Sequence, residues 1–211
     1  MRAKKILFKS PDGTDMTATF DEFAQSIGLE DVAANRYSGL LLAQLYGASF
    51  GFIHSSRVIA EIKALEGVAG KSVLKPPIQN KYPPLKGLWH KHFLQDDLRS
   101  FAMNVKKGMS SFGVPLFEAR MREAEISGVE RLVTLDDVPS LVNDIIHGNL
   151  NRLGEVQKIT GEWLVFAKHN GANYYLCIAT HDVSTHEDIR NQINVVCCEE
   201  FPFLVDLLQS A

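Results

Sequence analysis

The sequence predicts an α+β fold: an antiparallel sheet with flanking helices and a helical N-terminal region. Three observations carry that expectation. Apolar residues recur at i, i+3 and i+4 through much of residues 20–65, the spacing of helices with one buried face. Near the end, Glu162-Trp-Leu-Val-Phe-Ala-Lys and Asn173-Tyr-Tyr-Leu-Cys-Ile-Ala flank Asn170-Gly171, and Asn-Gly is the favoured pair of a tight hairpin because both residues tolerate positive φ. With 211 residues, 45% of them hydrophobic, the chain is long enough to bury a full core in one decorated domain.

The elements follow in order. Residues 4–8, Lys-Lys-Ile-Leu-Phe, read as a short opening strand, and Pro11-Asp-Gly as the turn after it. Thr19 with Glu22 fits a capping box before a helix over Phe20–Ile27. Tyr37, Leu40, Leu41 and Leu45 continue the helical spacing, and Val58, Ile59, Ile62 and Leu65 form one more amphipathic helix, stopped by Gly67 and Gly70. Between Gly67 and Pro84 lie two glycines and two Pro-Pro pairs, the strongest break in the chain. It separates a helical region, 1–70, from a sheet-containing α+β region, 71–211, or joins the two in one continuous domain. Leu85–Phe93 then reads as a strand, Asp96–Lys107 and Pro115–Ile126 as helices, and Thr134 with Asp137 as the opening of a helix over Val138–Ile146. After the hairpin, Ser184 or Thr185 caps a helix through Asp188 to Ile193, and Phe201–Leu208 is a last apolar element.

Composition excludes several classes. No apolar run approaches the ~20 residues of a membrane span, and Lys9 interrupts the apolar start too early for a signal-peptide core, so neither insertion nor export is expected. Cys177, Cys197 and Cys198 are odd in number and lack a CxxC spacing, which points to free thiols in a reducing cytoplasm. Charge is uneven. Residues 57–108 carry 10 basic and 4 acidic side chains, whereas 109–211 carry 7 and 15. The basic segment could face phosphates, or be the solvated counterpart of the acidic one.

Gly67-Val-Ala-Gly-Lys-Ser72 approximates a phosphate loop, but the required first glycine would stand where Leu65 is. More informative is Leu85-Lys-Gly-Leu-Trp-His-Lys-His-Phe93. Side chains alternate along a strand, so His90 and His92 project from one face, about 7 Å apart, while Trp89, Lys91 and Phe93 face the other way. Two imidazoles can divide general-base and general-acid work, and the same geometry can chelate zinc. His-x-His is also what two ordinary strand histidines look like. His181 ends the second hairpin strand and could join the pair, with Asp182 or His186 orienting it. His54, His147 and His169 read as structural or surface residues. The acidic pairs Asp96-Asp97 and Asp136-Asp137 fall in helix first turns, where the dipole explains them. Cys177, in an apolar strand, reads as buried.

Pro84-Leu-Lys-Gly-Leu-Trp-His90 resembles a strand opening of RelE- and HigB-like bacterial toxins, small metal-independent endoribonucleases built on an antiparallel sheet. Ala172–Thr180, followed by His181 and a helix from Thr185, is similar to their terminal strand and closing helix; together the two stretches cover about a third of the chain. The resemblance implies cleavage of RNA through attack of a ribose 2′-hydroxyl. His90 or His92 would be the base, His181 the acid, and Lys86 or Lys91 would stabilise the phosphorane. It further implies RNA contacts from Trp89, Lys71 and Lys81, no cofactor, a cognate inhibitor protein as partner, and a cytoplasmic location. The chain departs from that pattern in lacking the toxins' central-strand arginines and in carrying a long helical insertion. Two other readings stand beside it. One is a zinc hydrolase with His90, His92 and His181 or Asp182 as ligands. The other is a non-enzymatic phage or defence-related module that binds a partner through Phe201-Pro-Phe203 and Tyr174-Tyr175.

Overall fold

A computed structural model describes residues 7–48, 54–95, 98–128 and 134–210. The chain is α+β. Its helices are α1 (Thr17–Ser26), α2 (Leu29–Ala33), α3 (Gly39–Ala48), α4 (Ser55–Leu65), α5 (Leu98–Phe112), α6 (Pro115–Ser127), α7 (Asp137–Asn143), α8 (Asn149–Glu155), α9 (His186–Gln192), α10 (Cys198–Glu200) and α11 (Phe203–Gln209). Four strands, β1 (Ile78–Gln79), β2 (Trp89–Phe93), β3 (Glu162–His169) and β4 (Ala172–Ala179), form one antiparallel sheet in the order β1-β2-β3-β4.

The sheet belongs to a compact unit made of Met1–Ser72, Pro76–Asp96 and Gly161–Ala211. Side-chain alternation sends its two faces into two cores. On one face Phe93, Leu164, Phe166, Tyr175 and Ile178 meet apolar side chains of α1–α4, among them Leu41, Leu45, Val58 and Ile62. On the other, Val165, Ala167, Leu176, Cys177 and Ala179 meet Ile189, Ile193, Phe201 and Leu204 of the C-terminal helices. Each fully buried side chain of this kind contributes about 1.5–3 kcal/mol. The N-terminal helices therefore cover one face of the sheet.

The hairpin has the expected turn, with Asn170 at φ 50° and Gly171 at φ 77°. A bulge interrupts the β3–β4 ladder: Val165 pairs with Cys177 but Phe166 with Tyr175, so Leu176 is the extra residue. Leu176 and Cys177 then both reach the second core, and the Leu176 carbonyl accepts from the Ser38 hydroxyl. Residues 36–38 shield the outer edge of β4. Tyr175 N–H donates to the Arg36 carbonyl (2.7 Å), and Ser38 N–H to that of Tyr175 (2.9 Å). Beside them Glu66 accepts from Arg36, Tyr175 and Asn173.

The second compact unit, Val73–Lys75 with Asp97–Thr160, is helical. In it Asn104 on α5 donates through Nδ2 to the Thr160 carbonyl (2.8 Å) and accepts from Thr160 N–H (3.0 Å). Asp144 pairs with Arg152 at 2.9 Å across the wide turn that joins α7 to α8. Leu98, Phe101, Met103, Phe117, Met121 and Ile126 are exposed here.

Several boundaries differ from the sequence expectation for identifiable reasons. Residues 4–6 of the opening strand and Asp96-Asp97 lie outside the described residues. α1 starts two residues before Thr19, because Asp15 Oδ1 accepts from Thr17 N–H at 2.8 Å. Residues 85–88 form a turn closed by Leu88 N–H to the Leu85 carbonyl (3.2 Å), so the strand begins only at Trp89. The helix from Asp137 runs past Ile146 through the wide turn into α8. Asp182, rather than Ser184 or Thr185, caps the turn before α9, accepting from Ser184 N–H at 3.0 Å.

Candidate functional site

β2 carries His90 and His92 on the face turned to the C-terminal helices, and antiparallel register places Trp163 of β3 directly across from His92. The Trp163 indole lies flat on the His90 ring, with centroids 4.0 Å apart and planes at 16°. His92 stands edge-on to His90 at 5.5 Å. β4 ends at Ala179, which pairs with Trp163, and the next turn carries His181 to the same place. Its ring stacks on His92 at 5.1 Å and meets Trp163 edge-on at 5.0 Å. His186, the first residue of α9, packs on the same indole at 5.1 Å. Four imidazoles thus surround one tryptophan. His90, His92 and His186 are buried, whereas His181 is exposed.

Hydrogen bonds set the ring orientations. The Gly161 carbonyl oxygen accepts from His92 Nδ1 (2.8 Å) and from His181 Nε2 (2.7 Å). A carbonyl has two lone pairs, so one oxygen can hold both rings. Gly161 N–H also approaches His92 Nδ1, but at 3.4 Å. The two contacts need opposite tautomers, and the shorter one decides for Nδ1–H, which leaves the basic lone pair of His92 on Nε2. By the same reasoning the basic nitrogen of His181 is Nδ1. His186 Nε2 donates to the Thr180 carbonyl (3.1 Å), and His90 Nδ1 donates to Asn80 Oδ1 (2.9 Å). Gly161 is required at its position, since a Cβ there would collide with the Phe93 carbonyl.

Two donors flanking His90 are buried without an acceptor among the described residues: Trp163 Nε1 and Asn80 Nδ2. Each costs about 1–3 kcal/mol when left unsatisfied.

The opposite face of β2 is different. Lys91 is buried, 3.1 Å from Glu61 and 3.1 Å from the Ser72 hydroxyl, which in turn donates to Glu61 at 3.0 Å. Burial pushes the Lys91 ammonium down from its ordinary range, and Glu61 pulls it back up. Trp89, also on this face, packs into the first core, with Lys168 Nζ 3.9 Å from its ring centre. The structure therefore brings His90, His92 and His181 together and adds His186, but it separates Lys91 and Trp89 from them by the thickness of the sheet. Lys71, Lys81 and Lys86 are exposed on loops and make no hydrogen bond to the histidines among the described residues. Asp182 spends Oδ1 on its own turn, bonding Ser184 N–H and, at 2.7 Å, the Ser184 hydroxyl. Among the described residues no group of three or more His, Cys, Asp or Glu side chains is arranged to hold a metal ion.

Trp163, Asn80 and Gly161 were not among the sequence-predicted site residues. The local signal for Trp163 was its place one residue inside β3, but only the β2–β3 register puts it opposite His92. His169 has a structural contact, its ring stacking on Phe203 at 4.0 Å. Cys177 is fully buried and its thiol is pushed well up by that burial, which leaves it inert as a nucleophile. No helix among the described residues is long and apolar enough to cross a membrane. Comparison with known proteins returns no match to a protein family, a curated protein or a solved structure.

Proposed function

We propose that the protein is a metal-independent endoribonuclease of bacterial toxin type, acting through the histidine cluster. The observation that carries this reading is the shared Gly161 carbonyl, which accepts one N–H from each of His92 and His181 and holds their rings 5.1 Å apart. A base and an acid side by side are what transesterification at a phosphodiester requires. His92 Nε2 takes the proton of the ribose 2′-hydroxyl as its oxygen attacks phosphorus. The bond to the 5′-oxygen breaks, protonated His181 gives that oxygen a proton, and a 2′,3′-cyclic phosphate remains. His90, stacked on Trp163, donates through Nδ1 to Asn80 and so fixes that amide beside the site. Lys71, Lys81 and Lys86 serve as exposed phosphate contacts. A cognate inhibitor protein is the expected partner, and the exposed apolar side chains of the helical unit suit such a contact.

The test is cleavage of bulk RNA by wild-type, His92→Ala and His181→Ala protein, with and without a strong chelator. Chelator-resistant cleavage lost in both variants supports the proposal. Chelator-sensitive cleavage with stoichiometric bound metal would replace it with a zinc hydrolase, and no cleavage by the wild-type protein with a partner-binding module.

A further inference from the structure

We infer that Trp163 Nε1–H and the Asn80 amide are the oxyanion grip of this site, holding two oxygens of a phosphate group beside His90. The inference rests on reading the histidine cluster as a site for phosphate esters. Both groups are donors, both are buried, and neither has an acceptor among the described residues. They flank the same ring on different sides: Trp163 lies on its face at 4.0 Å, and Asn80 meets its edge through Nδ1 at 2.9 Å. The Asn80 NH₂ is the donor left over because His90 Nδ1 donates to the amide oxygen at 2.9 Å; a reversed amide would present an acceptor, which repels an oxyanion.

Asn80 is held for this role by its backbone. Its N–H donates to the Leu88 carbonyl (2.8 Å), and its own carbonyl accepts from Gly87 N–H (3.0 Å), closing the loop over residues 80–88. The amide is thereby fixed at the ring edge without a partner for its NH₂. Trp163 is fixed by strand pairing with both His92 and Ala179. Donors held in advance and left unpaid by the fold are the arrangement that stabilises developing negative charge, because nothing has to reorganise when the oxygen arrives. His181, the exposed ring against Trp163, brings the proposed acid to the same place.

The chain has two tryptophans, Trp89 and Trp163, on opposite faces of the sheet, which supplies a control within one spectrum. Full-length ¹⁵N-labelled protein is titrated with inorganic phosphate, and separately with chloride at equal ionic strength, while the two indole N–H resonances are followed. The expected result is a saturable shift of the Trp163 resonance with phosphate alone, a still Trp89 resonance, and phosphate affinity about tenfold weaker in Asn80→Ala. Trp163→Phe, which keeps a ring on His90 but removes the N–H, should lower kcat/KM for RNA on the order of 10²-fold. A Trp163 resonance that ignores phosphate, or an affinity unchanged by Asn80→Ala, overturns the grip. The ribonuclease reading fails separately: phosphate bound in this way without RNA cleavage removes the enzyme and leaves the anion site, whereas cleavage untouched by Asn80→Ala and Trp163→Phe does the reverse.

Discussion

The two faces of β2 treat their polar residues in opposite ways. On one, Lys91 is buried between Glu61 and the Ser72 hydroxyl, a charge matched by a charge. On the other, His90 and His92 stand among rings and donors, two of which lack an acceptor among the described residues. Both sets come from a single pentapeptide, Trp-His-Lys-His-Phe. A buried group that is paired holds the fold together, whereas groups left short of partners, such as Trp163 Nε1, can do work on a ligand. This contrast sorts the residues of β2 more sharply than residue type does, since lysine looks the better catalyst on paper.

The contrast can be broken experimentally, beginning with its largest effect. His181→Ala should lower the rate of RNA cleavage about 10²–10⁴-fold, while stability should fall by only about 0.5–1.5 kcal/mol, the worth of its bond to the Gly161 carbonyl. Lys91→Ala should do the converse. Leaving Glu61 buried alone costs on the order of 3–5 kcal/mol in urea unfolding, and removing both charges, in Lys91→Met with Glu61→Leu, should recover most of it. Should Lys91→Ala instead abolish cleavage at full stability, the division between the faces is wrong. Gly161→Ala falls between the two: the Cβ collides with Phe93, so stability should drop by about 1–3 kcal/mol and cleavage should fall with it, as the shared carbonyl shifts.

The smallest effect concerns pH and lies away from the site. Burial raises the Glu66 carboxyl, but hydrogen bonds from Arg36, Tyr175 and Asn173 outweigh it and hold the group below its ordinary value. A depressed carboxylate stabilises the fold fully above the unfolded value of about 4.3, and that contribution is lost as pH falls through the folded one. Glu66→Gln should therefore flatten the acid limb of a stability profile and leave cleavage at neutral pH unchanged. An unaltered acid limb would show that the network beside β4 is not what acid attacks.

Local pattern carried much of this architecture, and non-local register carried the rest. Asn170-Gly171 specifies its hairpin through two positive φ angles, and the spacing of His90 and His92 places them on one face because a strand has period two. That His181 would meet them rested on an assumed adjacency, which the β2–β3 and β3–β4 pairings fulfil. Nothing local to Asn80 or Gly161 marks them, and the place of Trp163 one residue inside β3 does not reveal its partners. Trp163 and Gly161 matter through His92, far away in the chain, and Asn80 through a loop whose closure onto residues 87–90 only the fold shows. Asp182 is the cap although Ser184 and Thr185 offer equally good local chemistry a few residues on.

The ladder between β2 and β3 closes where Phe93 faces Glu162, with the helical unit strung between them. Closing a loop of that length instead of a tight turn costs roughly four doublings, about 2–3 kcal/mol, a modest burden on the finished sheet. In time the burden is larger. On the ribosome His92 emerges long before Gly161 can orient it, and His181 follows only after both strands of the hairpin. A stalled or truncated chain therefore carries imidazoles with no common carbonyl to hold them, so synthesis itself withholds the assembled cluster until the last strand is out.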